Sequence, residues 1–146
     1  MRPIMTTIRA QLRNNAVALI SLAVAIGSLG YNTWRNERTE HNRNVRTATF
    51  ELLTRLAELE RVVYLAQYDR DTAGGNPRTG WTYVLVIHDL AAVVPAPVPA
   101  KATQLQKVWS ENWEGLGRED ESSVNRIDDA IGSLREASLA RLQALR

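Results

Sequence analysis

Residues 45–66 read VRTATFELLTRLAELERVVYLA. Within them Val45, Thr49, Leu52, Leu56, Leu59, Val63 and Ala66 recur at steps of 4, 3, 4, 3, 4 and 3. That spacing keeps one side of an α-helix apolar over several turns and defines a heptad seam. Phe50, Leu53 and Val62 are expected to widen the seam, which suits packing among several helices better than a bare two-stranded coil. The helix is expected to end near Asp71. Ala73-Gly74-Gly75 releases the chain, and Asn76-Pro77 supplies an N-cap and a first helical residue for a second helix.

Toward the N-terminus, the window Asn14–Trp34 reads NNAVALISLAVAIGSLGYNTW and holds no charge. A helix rises 1.5 Å per residue, so about 20 residues cross a hydrocarbon core of roughly 30 Å. The window meets that length. Tyr31 and Trp34 stand at its C-terminal end, where amphipathic rings favour the membrane interface. Arg13 and Arg35 bracket it and can reach headgroups. The rival reading is a cleaved signal peptide, with small residues at Ala25 and Gly27 or at Ser28 and Gly30. A buried helix of a soluble protein is the plainest alternative, and three upstream arginines with a terminal aromatic pair argue against it. Arginines stand on both sides of the window in nearly equal number, so the positive-inside rule does not decide orientation. A short N-terminal tail followed by a domain favours a signal anchor, with the N-terminus inside and the domain outside.

Toward the C-terminus, Trp81, Val84, Leu85, His88 and Ala91/Ala92 fit helical spacing. The segment is rich in β-branched residues, but no partner strand is visible, and an isolated strand leaves its backbone unpaired. Pro95-Ala96-Pro97-Val98-Pro99 is expected to form a stiff extended connector. A third helix is expected from about Ala100 to Leu116, with Leu105, Val108, Trp109, Trp113 and Leu116 on one side and Gly117 ending it. A fourth begins near 118–122, where acids favour the helix N-terminus. It carries Val124, Ile127, Ile131 and Leu134, then Leu139, Leu142 and Leu145. The expected fold is all-α: a single N-terminal transmembrane helix (14–34) after a short basic tail (1–13), then an antiparallel helical bundle (35–146), most simply of four helices.

Composition removes several functions. The chain has no cysteine, which excludes disulfides, thiolate metal sites and Cys nucleophiles. Three of its 18 basic residues lie within the first 13 positions, so residues 35–146 hold 15 against all 16 acids, a formal charge of −1. A nucleic-acid binder needs a concentrated basic surface, so none is expected. Arginine outnumbers lysine 16 to 2, which reflects a GC-rich genome more than a binding task. The expected location is a bacterial inner membrane, with the domain on the periplasmic side.

No side-chain group makes a catalytic or metal site by pattern. Glu37 and His41 stand one helical turn apart, but two ligands are too few for a metal, and a solvated face is the ordinary reading. His88 beside Asp89 lacks a nucleophile to activate and reads as a partly buried, hydrogen-bonded histidine. No enzyme activity, cofactor or metal is expected. Trp109 and Trp113 share a helix face, with Trp81 a candidate neighbour. Such rings usually belong to a core, but they are also the place to expect a ligand or partner surface. Arg13, Arg35 and Arg38 are the candidates for lipid headgroup contact, diluted by Glu37 and Glu40.

In topology the arrangement resembles the four-helix sensor domains of bacterial chemoreceptors and sensor kinases, without a shared motif. Those domains return to the membrane through a second spanning helix, which this chain does not show before Arg146, so a self-contained transducer is not expected. Phage lysis proteins of the spanin type are similar in having an N-terminal anchor and a helical ectodomain, usually with longer coiled-coil periodicity. The expected function is that of a structural or interaction protein, docking a partner or self-associating at the membrane. The alternative is a sensor-like ligand-binding module with a tryptophan-lined pocket.

Overall fold

The structure, a computed structural model, describes residues 15–118 and 120–145. Among these there are four α-helices and no strand: α1 (Ala16–Tyr64), α2 (Pro77–Ala91), α3 (Val98–Asn112) and α4 (Glu121–Ala144). A π-helical turn, Leu65–Asp69, follows α1, and a 3₁₀ turn, Trp113–Gly115, follows α3. The chain divides into two compact units, one ending at His41 and one beginning at Asn42. The basic tail, with Arg2, Arg9 and Arg13, lies outside the described residues, as does Asn14.

In the first unit α1 is long and apolar enough to cross a membrane, and among the described residues none of its apolar window is buried. Val17, Leu19, Ile20, Leu22, Val24, Ile26 and Leu29 are all exposed. The few polar groups are satisfied internally. Ser21 donates its hydroxyl to the Val17 carbonyl at 2.8 Å, and Thr33 donates to Leu29 at 3.0 Å. Such i−4 bonds need no water, so these hydroxyls do not interrupt the apolar surface.

In the second unit the heptad seam is the centre of the core. Val45, Thr49, Leu52, Leu56, Leu59, Val63 and Ala66 are all buried. The buried Thr49 hydroxyl donates to the Val45 carbonyl at 2.7 Å, which lets a polar residue occupy a seam position. Val84, Ile87 and Ala91 of α2 join this core, as do Val98, Ala102, Leu105 and Trp109 of α3 and Val124, Ile127, Ile131 and Leu134 of α4. Polar side chains also tie α4 to the other segments. Arg135 makes a two-pronged contact with Glu60, at 2.7 and 3.3 Å. Arg141 holds the Ala96 carbonyl through Nε at 2.6 Å, and Arg46 reaches the Leu145 carbonyl at 3.2 Å.

Four expectations need correction. Phe50 does not widen the seam but is exposed, while Val62 is buried and Leu53 half-buried. The α2 register differs from the one expected. Gly80, Val84, Ile87 and Ala91 face inward, while Leu85 is exposed, because Gly80 is the position that admits a large ring from α3. The proline connector is shorter than expected. Val98 already begins α3 with Pro99 in its first turn, where a missing N–H costs nothing. Leu139 is exposed, and Ser138 is buried in its place, continuing the Val124–Leu134 rhythm with its hydroxyl donated to the Leu134 carbonyl.

Two of the caps match their residues. Asn76 accepts the Arg78 N–H at 3.0 Å with Pro77 next in line. Asp120 accepts the Ser123 N–H at 3.2 Å. Gly117 takes a positive φ of 73°, as a chain-reversing glycine should, although α3 itself has already ended and passed through the 3₁₀ turn.

Candidate functional site

The π-helical turn after α1 opens a place for two loops to converge. One extra residue per turn widens the helix, and such turns recur at functional sites. Arg70 follows in the left-handed conformation, φ 51°, with its N–H bonded to the Leu65 carbonyl. The Asp71 carboxylate then accepts the N–H groups of Ala73 at 2.9 Å and Gly74 at 3.1 Å, closing a tight turn. Gly75 lies flat against the backbone of Ala66, where an added Cβ would overlap the peptide nitrogen. Gly117 approaches the Ala66 carbonyl from the second loop.

These pieces enclose an open cleft of about 720 Å³. Arg70, Asp71, Arg78 and Arg118 line it, over a floor that includes Ala66 and Leu116. In the sequence Gly74-Gly75 and Gly117 read only as chain breakers, and this concavity is not apparent. The signal that points to it is an arginine placed beside each break, Arg78 just after Asn76-Pro77 and Arg118 directly after Gly117.

Backbone hydrogen bonds from Gly74 and then Ala73 hold the Asp71 carboxyl below the usual carboxylate range. The Ser123 hydroxyl and then the Ser123 N–H do the same for Asp120. Asp128 is shifted the other way, by burial first and then by Glu60 and Asp129. Folding therefore makes Asp71 and Asp120 weaker proton acceptors than in the unfolded chain. Their stabilisation is complete above the ordinary carboxylate range and disappears as pH falls through their depressed values. Asp128 opposes this, since its contribution is full at low pH and is lost as pH rises through its raised value. Melting temperature is expected to fall on acidification below about pH 4. Asp71→Ala should lower it at pH 7 and flatten the acid limb. An acid limb unchanged in that variant would show the turn contributes nothing.

The tryptophans do not line this cleft. Trp109 is 0% exposed, and its ring lies on Gly80, where an added Cβ would overlap Cζ2 and Cη2. Trp81 and Trp113 are half-buried against the same core. Trp109 is therefore a core residue, and none of the three rings lines the cleft. Of the headgroup candidates, Arg13 lies outside the described residues. Arg38 sits over the Trp34 ring, 5.1 Å from its centroid, and Trp34 and Tyr31 are 6.2 Å apart. Arg35 is exposed. His41 is exposed, and His88 is partly buried, 3.9 Å from the exposed Asp89 carboxylate. Among the described residues no three potential metal-ligating groups cluster.

No protein-family model, curated protein or solved structure matches the chain.

Proposed function

We propose that the chain is a membrane-anchored helical bundle, held by residues 16–34 and docking a partner at the membrane surface. The observation that carries this reading is the exposure, among the described residues, of seven Leu, Ile and Val side chains between Val17 and Leu29. Burying each such side chain is worth about 1.5–3 kcal/mol, so the segment forgoes on the order of 10–20 kcal/mol in water. A bilayer recovers that term. Tyr31, Trp34 and Arg38 form an aromatic and cationic cluster where the apolar run ends, which suits the headgroup region. The bacterial inner membrane, with the domain on its outer side, is the placement we propose.

The heptad seam does not supply the docking face, because Leu56 and Leu59 are 0% exposed within the chain's own core. The opposite side of α1 does. Phe50 and Tyr64 are exposed there two heptads apart, and the rings of Tyr64 and Tyr68 lie 5.1 Å from each other. Aromatic residues of this kind are enriched in protein interfaces. Mild-detergent purification of the tagged full-length chain should bring a partner, or a second copy, at fixed stoichiometry. Phe50→Ser with Tyr64→Ser should release it while leaving the helical content intact. A strictly monomeric chain from which nothing copurifies would remove the docking half of the proposal.

A ligand-binding module remains the second reading. The cleft beside Ala66 favours it, in place of the tryptophan-lined pocket.

A further inference from the structure

Three arginines reach the cleft beside Ala66 from three different stretches of chain. Arg70 comes from the turn after α1, Arg78 from the first turn of α2, and Arg118 from the loop before α4. Among the described residues Asp71 is the acid lining it, and the Oδ1 atom of that carboxylate already receives the Ala73 and Gly74 amides. Among the described residues no carboxylate pairs with the guanidinium of Arg78 or Arg118. Converging like charges repel one another, and an anion between them turns that cost into attraction. Guanidinium groups present planar donor forks that match phosphate oxygens two at a time. The volume falls within the roughly 300–1,000 Å³ typical of small-molecule sites. Gly75 and Gly117 keep side chains out of the floor, and Leu116 with Pro77 adds apolar lining.

We propose that this cleft binds a small molecule through a phosphate group, with Arg78 and Arg118 as its principal contacts and Arg70 beside them. A single carboxylate carries less charge than the two guanidinium groups of Arg78 and Arg118 can pair with, and a phosphate or diphosphate comes closer to that demand. The phosphate could belong to a free metabolite or to a lipid headgroup. The chemistry is the same, and the test separates the two sources. This site is independent of membrane anchoring and of partner docking.

The test is calorimetric titration of the full chain in a neutral maltoside detergent with inorganic pyrophosphate, at constant ionic strength. Saturable one-site binding is expected. Arg78→Gln with Arg118→Gln should weaken it at least tenfold at an unchanged melting temperature. Arg55→Gln, which removes a half-buried α1 charge that is paired with Glu51 and does not line the cleft, should leave the affinity as it was. Should the double variant unfold, Arg118→Lys alone serves, since it keeps the charge, loses the fork and should still weaken binding severalfold. Competition by a short-chain phosphatidic acid assigns the lipid source, and its absence with pyrophosphate binding retained assigns a soluble phosphate. Either of these keeps the proposal. It is overturned if the native chain shows no saturable binding, or if the folded variants bind pyrophosphate as tightly as the native chain does. The titration reads the same in detergent-free buffer if the anchor proves dispensable, so failure of the membrane reading does not imitate failure of this one.

Discussion

Trp109→Ala is expected to lower the stability of the helical domain by about 3–5 kcal/mol, the usual cost of removing a fully enclosed large ring. Domains of this size are stable by about 5–15 kcal/mol in total, so this one change can consume much of the margin. The reason lies in a pair of residues. Trp109 is 0% exposed, and its six-membered ring rests on the bare backbone of Gly80. Glycine inside a helix costs roughly 0.5–1 kcal/mol relative to alanine, and here that cost is offset by the contact it permits. Gly80→Ala should accordingly destabilise the native chain by about 1–3 kcal/mol, through overpacking. In the Trp109→Ala background the same substitution should be neutral or mildly stabilising, because the new methyl enters the space the ring left. A chemical-denaturation cycle over the four proteins measures this coupling directly. Additive effects would mean that ring and glycine do not share one contact.

The Trp109–Gly80 pair also shows where the sequence could and could not be read. The α1 seam was legible because seven apolar or small residues at heptad spacing leave one face with no alternative use. The same holds for Val124, Ile127, Ile131 and Leu134 of α4. The α2 register was not legible. Its segment is apolar nearly all round, so periodicity cannot choose between Val84–Ile87–Ala91 and Val84–Leu85–His88. The choice is made by Trp109, a residue on another helix that needs a glycine opposite it. Phe50 misled for a related reason: an aromatic residue in an amphipathic helix counts as core by composition, and its exposure becomes visible only when the core is already full. The cleft was legible least of all. Its arginines lie at positions 70, 78 and 118 and share no motif. What joins them is the convergence of two glycine turns on Ala66, a tertiary fact.

On the proposed anchoring, Leu22→Arg with Val24→Arg is expected to move the chain out of the membrane. Each arginine near the middle of a spanning helix costs about 2.5–3.5 kcal/mol on insertion scales, so the pair removes roughly 5–7 kcal/mol of insertion free energy. Both side chains are exposed on α1, at 57% and 62%, and neither belongs to the core of the second unit. The helical domain should thus fold as before, with unchanged near-ultraviolet signal from its buried tryptophan. Only partitioning should change. That separates an anchor from an apolar helix covered by other protein in solution, where the two arginines would be forced into that contact and lower the melting temperature.

Whether residues 16–34 hold the chain in a bilayer is decided by alkaline carbonate extraction of membranes, with intact mass measured on the pellet. The native chain should stay in the pellet at full length, and the Leu22→Arg/Val24→Arg chain should appear folded in the supernatant. A native chain released by carbonate, or one whose mass shows the apolar segment already removed, would contradict membrane anchoring by this helix.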